Sequence, residues 1–162
     1  MNQTATETSI SKYFEQDHDR IDELFRQFQQ FKKSDFPRAK ESFVSFKFGL
    51  QRHIVWEEEI LFPLFERKTG MTQGGPTSVM REEHRLIKHY LEAIHEKVKA
   101  LDPQSDQEEQ RLLHALTVHN QKEELILYPA IDRTITQEEA QSVFEQMKEL
   151  PEDRYQKCCN HD

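Results

Sequence analysis

The feature that most limits what this chain can become is a long internal repeat. His53-Ile-Val-Trp-Glu57-Glu-Glu-Ile-Leu-Phe-Pro63 is echoed by His119-Asn-Gln-Lys-Glu123-Glu-Leu-Ile-Leu-Tyr-Pro129. Both stretches carry Glu at +4 and +5 from the His, Leu at +8, an aromatic ring at +9, Pro at +10 and Arg at +14. A lone His precedes each by the same 35 residues, His18 before His53 and His84 before His119, so the two halves are offset by 66 residues. A period of that length crosses whole elements and their connections. It repeats a supersecondary unit, and amphipathic turns alone would not produce it.

Apolar residues at spacings of three and four predict five helices. The first, about 9–33, carries Ile10, Phe14, Ile21, Leu24, Phe25, Phe28 and Phe31. The second, about 37–67, carries Phe43, Phe46, Leu50, Ile60, Leu61 and Leu64. The third, about 77–101, follows Met80, Ile87, Leu91, Ile94, Val98 and Leu101. The fourth, about 107–133, follows Leu112, Leu116, Ile126, Leu127 and Ile131. A shorter fifth, about 136–149, starts at a Thr136-to-Glu139 capping box and offers a docking face or packs on the rest. Pro63 and Pro129 should kink or end their helices just upstream. The tail, 150–162, should fray. Four long helices with short connections predict an all-α, up-down-up-down four-helix bundle over about 9–133, with a short extra C-terminal helix. All 162 residues read as one domain.

Composition agrees, and it removes whole classes of function. Hydrophobic residues are 35% and charged residues 32%, as expected for helices with one apolar stripe and a solvated back. A net charge of −8 argues against a nucleic-acid partner. No apolar run approaches the roughly 20 residues that span a bilayer, so no membrane partner is expected. The polar start has no signal-peptide layout. The only cysteines, Cys158 and Cys159, are adjacent and give no disulfide framework. Cytoplasmic residence is the default expectation.

The repeat gains chemical meaning once its polar residues are set on the helices. Positions i and i+4 share a face, so His53 projects with Glu57 and His119 with Glu123. All six of His18, His53, Glu57, His84, His119 and Glu123 fall on apolar stripes. A buried carboxylate costs several kcal/mol unless it is paired or bound to a cation, and no Lys or Arg lies on the stripes at that level. Metal supplies the missing charge. Imidazole suits iron as well as zinc or copper, and six donors exceed what one tetrahedral zinc takes. Two ions fit better, with carboxylates between them and imidazoles at the ends.

On these residues the chain resembles the hemerythrin-like, or HHE cation-binding, family over residues 10–133. The matching pieces are His18, His53-x-x-x-Glu57 with Leu-Phe-Pro, Glu83-His84, and His119-x-x-x-Glu123 with Leu-Tyr-Pro. The resemblance implies a non-haem di-iron centre, oxo- or hydroxo-bridged, with Glu57 and Glu123 bridging and the four His terminal. Zinc and manganese are the alternative metals. Oxygen-carrying members have another His four residues after the third-helix His, where this chain has Lys88. The four-His set is more like the members linked to nitric oxide, oxygen and iron-centre repair. The expected ligand is therefore a small diatomic, oxygen or nitric oxide, in sensing or stress response. The alternatives are a redox enzyme turning over peroxide or nitric oxide, and an iron donor for iron–sulfur repair.

Other residues receive plainer readings. Asp22 is expected to orient His18 or to lie at the surface, Glu58 and Glu124 to be helix-surface charge, and Trp56, Phe62 and Tyr128 to be packing residues, one or more of which could wall a small-molecule pocket. A ferritin-like set from Glu15-x-x-His18 and Glu92-x-x-His95 breaks the 66-residue register and leaves His53 and His119 without partners.

Overall fold

The computed structural model describes residues 8–156. Its order is α1 (Ile10–Phe31), α2 (Phe36–Trp56), a π turn π1 (Glu57–Leu61), α3 (Phe62–Thr69), α4 (Pro76–Lys99), α5 (Asp106–Lys122), a second π turn π2 (Glu123–Leu127), α6 (Tyr128–Thr134) and α7 (Gln137–Glu149). A single 3₁₀ turn, Glu152–Arg154, follows. No strand occurs among the described residues, and none of their helices is long and apolar enough to cross a membrane. The five expected rods are present in a helical bundle, and α3 and α6 are continuations of α2 and α5.

Local chemistry sets the ends of the rods. Ser9 caps α1 through a hydrogen bond from the Lys12 amide, and Asp35 caps α2, with Pro37 in its first turn. Gly70 closes α3 in the left-handed conformation at φ 75°, which glycine adopts without steric cost. α4 stops at Lys99, two residues short of the expected end. Leu101, assigned above to the apolar stripe, is left exposed at φ 58°. Thr136 and Glu139 form the expected capping box.

The regular α-helix gives way just upstream of each proline, as expected, but the rod continues past it. In each copy the backbone widens by one residue just upstream. The Phe62 amide donates to the Glu57 carbonyl, and the Tyr128 amide donates to the Glu123 carbonyl, five residues back in both cases. Proline lacks an amide hydrogen and would press on the carbonyl four residues before it. The wider turn absorbs that conflict, and the rod runs on. The extra residue also turns everything downstream by roughly 100°. Ile126, expected to point inward, is therefore 63% exposed, while Leu127 and Tyr128 are buried in its place.

The core has two apolar regions with a polar layer between them. One is built on Phe25, Phe28, Phe43, Phe46, Leu91 and Leu112, and the other on Phe14, Trp56, Phe62, Phe65, Tyr128 and Val143. Gly49 lets α1 approach α2 closely, since a Cβ there would sit 3.1 Å from the Arg20 guanidinium. At one end Asp132 of α6 accepts from the Ile10 and Ser11 amides. At the other, buried Lys32 is held by Glu109 at 2.5 Å and by Asp106. α7 packs on the bundle through Ala140, Val143 and Met147. The tail is ordered further than expected: Tyr155 is buried, and its ring sits edge-on to Phe48 at 5.2 Å. Cys158, Cys159 and His161 lie outside the described residues.

Candidate metal centre

The six residues singled out by the repeat meet in the polar layer between the two apolar regions, and all six are buried. Their donor atoms form two clusters. His18, His53, Glu57 and Glu123 make one; His84, His119, Glu57 and Glu123 make the other, with all atoms of each within 4.8 Å of one another. Both carboxylates belong to both clusters, each through one oxygen. Glu57 Oε2 lies 3.3 Å from His53 Nε2, and Glu57 Oε1 lies 3.0 Å from His84 Nε2. Glu123 Oε1 lies 3.2 Å from His18 Nε2, and Glu123 Oε2 lies 3.0 Å from His119 Nε2. Two donors at right angles on one ion, each about 2.1 Å away, would be separated by about 3 Å. The donor spacing fits a metal site in each cluster.

The far nitrogen of every ring is held by a carboxylate from a neighbouring helix. His18 Nδ1 is 2.7 Å from Glu124, His53 Nδ1 2.8 Å from Asp17, His84 Nδ1 2.7 Å from Glu58, and His119 Nδ1 2.8 Å from Glu83. With Nδ1–H donating outward, the Nε2 lone pair of each ring faces the cluster, the usual arrangement around a metal-binding imidazole. These partners keep the 66-residue register: Asp17 matches Glu83, and Glu58 matches Glu124. Glu58 and Glu124 are thus not idle surface charge. They turn away from their own helix's ligands and meet a ring on the opposite helix. Asp17 was passed over entirely, although an acid directly before the lone His in both halves was a readable signal. His18 takes Glu124 as its partner, while Asp22 lines the edge of a small cavity.

Charge explains how this cluster is held together without metal. Burial opposes a charged ring at His53, but the Glu57 charge and the hydrogen bond to Asp17 outweigh it and raise its pKa to about 10. Burial likewise opposes charge at His84, yet hydrogen bonds to Glu57 and Glu58 raise it to about 9. Burial would raise Glu57, but His53 and His84 hold it well below the ordinary carboxylate range. Protons on imidazole thus supply the positive charge that a cation would otherwise bring.

Tyr128, expected only to pack or to wall a pocket, stands at the centre of the first cluster. Its hydroxyl is fully buried in the first cluster, where it lies 2.5 Å from Glu57 Oε2 and 2.8 Å from Glu123 Oε1. It also approaches His53 Nε2 at 3.2 Å and His18 Nε2 at 3.3 Å. Burial and the charges of Glu123 and Glu57 push its pKa well above the ordinary phenol value, so without metal it stays protonated. The π turn puts it there, because residues five apart share a face only when the helix widens. The matching residue in the other half, Phe62, lies flat against the His84 ring, with ring centres 6.0 Å apart and planes 7° apart. In that second cluster Glu57 Oε1, His84 Nε2 and Glu123 Oε2 are buried and in close ionic contact, but none of them makes a well-aligned hydrogen bond. Unsatisfied buried donors and acceptors of this kind are what a bound cation would satisfy.

Between the four rings lies a cavity of about 10 Å³, walled by Ile21, Leu50, Ile54, Ile87 and Leu116. It has room for about one water-sized molecule. The Glu92–His95 pair of the ferritin-like reading sits elsewhere, with His95 stacked on Phe43.

Comparison with known proteins agrees with this geometry. The chain matches the iron-sulfur cluster repair protein YtfE of Edwardsiella ictaluri (strain 93-146) at 33% identity over 91 residues, covering 52% of this chain and 41% of that protein. It matches YtfE of Yersinia pseudotuberculosis serotype IB (strain PB1/+) at 35% identity over 54 residues, covering 33% of this chain and 24% of that protein. The chain therefore spans less than half the length of these curated relatives. No solved structure gives a significant match. The profile of the hemerythrin HHE cation binding domain matches residues 9–131. The chain belongs to that hemerythrin HHE cation-binding family, and its paired His and Glu clusters fit the metal site the family is built around.

Proposed function

We propose that the chain is a non-haem di-iron protein that binds oxygen or nitric oxide in sensing or stress response. His18 and His53 would hold one ion and His84 and His119 the other, with Glu57 and Glu123 shared between the two. The observation that carries this reading is the sharing of both carboxylates between two otherwise separate His pairs, next to a cavity of about 10 Å³. Ferrous iron in such a centre supplies open positions and electrons to a small diatomic ligand. The chain's residues do the rest. Glu124, Asp17, Glu58 and Glu83 fix the four rings with Nε2 inward. Ile21, Leu50, Ile54, Ile87 and Leu116 leave room for a diatomic and little else. Lys88, where oxygen carriers in the family have a fifth His, cannot donate to a metal while charged.

The test is the absorption spectrum of the ferrous-loaded protein without oxygen, then with oxygen, then after its removal. A charge-transfer band that comes and goes with the gas supports reversible ligand binding. A band that appears and persists moves the reading to redox turnover. Uptake of zinc alone, with no response to either gas, would sink it.

A second reading is delivery of iron for repair of iron–sulfur centres, and the likeness to the iron-sulfur cluster repair protein YtfE favours it. It predicts that the loaded iron passes to an apo iron–sulfur acceptor faster than to a chelator of equal affinity.

A further inference from the structure

We propose that Tyr128 is a metal ligand in this chain, giving a phenol oxygen to the ion held by His18 and His53, so that the two ions of the centre are chemically different. The inference rests on the reading of the site as a two-iron centre and deepens it. Of the atoms in the first cluster, the Tyr128 oxygen is the one closest to everything else. It sits 2.5–3.3 Å from Glu57 Oε2, Glu123 Oε1, His53 Nε2 and His18 Nε2. Those are the four inward atoms of that cluster, so an ion entering it meets the phenol oxygen as an immediate neighbour.

The ring has little freedom to leave. It is fully buried, with Phe14 5.4 Å away and His18 5.8 Å away between ring centres. Its backbone amide is tied to the Glu123 carbonyl by the π turn. Oxygen donors of this kind suit iron, particularly in the ferric state. Coordination forms one oxygen–metal bond and breaks the O–H bond. The proton passes to water, and no electron moves.

The other half lacks this donor. Phe62 occupies the repeat position of Tyr128 and offers only a ring face to His84. The buried polar atoms of the site that make no well-aligned hydrogen bond, Glu57 Oε1, His84 Nε2 and Glu123 Oε2, all belong to that half. The half of His84 and His119 would therefore offer an ion one protein donor fewer, and an exogenous ligand would bind in that half.

The experiment loads the full chain with ferrous iron without oxygen, counts iron per chain, oxidises with ferricyanide, and records visible absorption and resonance Raman spectra. The expected result is a phenolate-to-ferric charge-transfer band whose excitation enhances tyrosine ring modes. Tyr128→Phe should abolish band and modes and weaken one of the two iron-binding steps by at least about tenfold, a loss on the scale of removing ligand support. Tyr13→Phe, at an exposed ring, should leave both unchanged. Two irons per wild-type chain with no tyrosine modes would overturn the inference and leave the two-iron reading standing. Modes that survive in Tyr128→Phe would do the same. Failure to take up iron would sink both. The wild-type spectrum decides the matter even if the variant folds poorly.

Discussion

The segment around Glu57 and the segment around Glu123 carry the same donors, the same π turn and the same proline, yet they differ on both faces. Inward, one presents the Phe62 ring to His84 and the other presents the Tyr128 hydroxyl to His18 and His53. Outward, Ile60 is 7% exposed because α7 lies over it, whereas its counterpart Ile126 is 63% exposed. A twofold repeat is thus kept where the chemistry needs symmetric donors. It is broken where a single phenol or a single extra helix can sit. The symmetric part consists of charge that must be balanced in a dry core, where any mismatch is costly. The asymmetric parts lie one step away from it.

The largest effect should come from the shared residues. Glu123→Ala removes a donor from both clusters, so metal analysis after anaerobic loading should find close to no retained iron. His18→Ala removes a donor from one cluster only and should leave the His84–His119 half loaded. Equal losses in the two variants would mean that the halves do not bind separately.

The outer faces should separate next. Ile60→Ala should cost about 2–4 kcal/mol, because it opens a cavity under α7. Ile126→Ala should stay within about 0.5 kcal/mol. Urea unfolding of both variants checks this, and similar costs would show that the surface over π2 is covered in solution.

A further comparison concerns what the halves share in charge. In the metal-free protein His53 and His84 are raised to about 10 and 9 from 6.5. Their contribution to stability is fully present below pH 6.5 and is lost as pH rises through those values. Glu57 is depressed from 4.5, and its contribution is present above that pH and lost as pH falls. Metal-free melting temperature should therefore be highest between about pH 4.5 and 6.5 and decline steadily toward pH 9. Iron loading should flatten the decline, since metal then takes the place of protons at Nε2. A metal-free protein equally stable at pH 6 and pH 9 would contradict the assigned charge pattern.

Much of the fold and the donor set could be read from residue order alone. The His and Glu positions on apolar stripes required a counter-charge, and the 66-residue register tied four helices to one centre. The rods and the capping box at Thr136 followed from local preference. The prolines were the point where local reasoning found the place of a disturbance but not its form. Pro63 and Pro129 signal a disturbed helix, but whether the chain kinks, stops or widens depends on what the widened turn gains by facing inward. Here it gains a buried Leu127 and Tyr128 at the cost of exposing Ile126.

By itself, the sequence determined that four helices would place four imidazoles and two carboxylates in one core, because spacing of four fixes a shared face whatever the neighbours are. Only the tertiary structure decided which acid orients which ring. Those partners stand on different helices, and their meeting depends on how the helices are packed. It also decided that one half of the centre contains a phenol oxygen and the other does not, because a π turn converts a spacing of five into a contact only when the bundle closes around it.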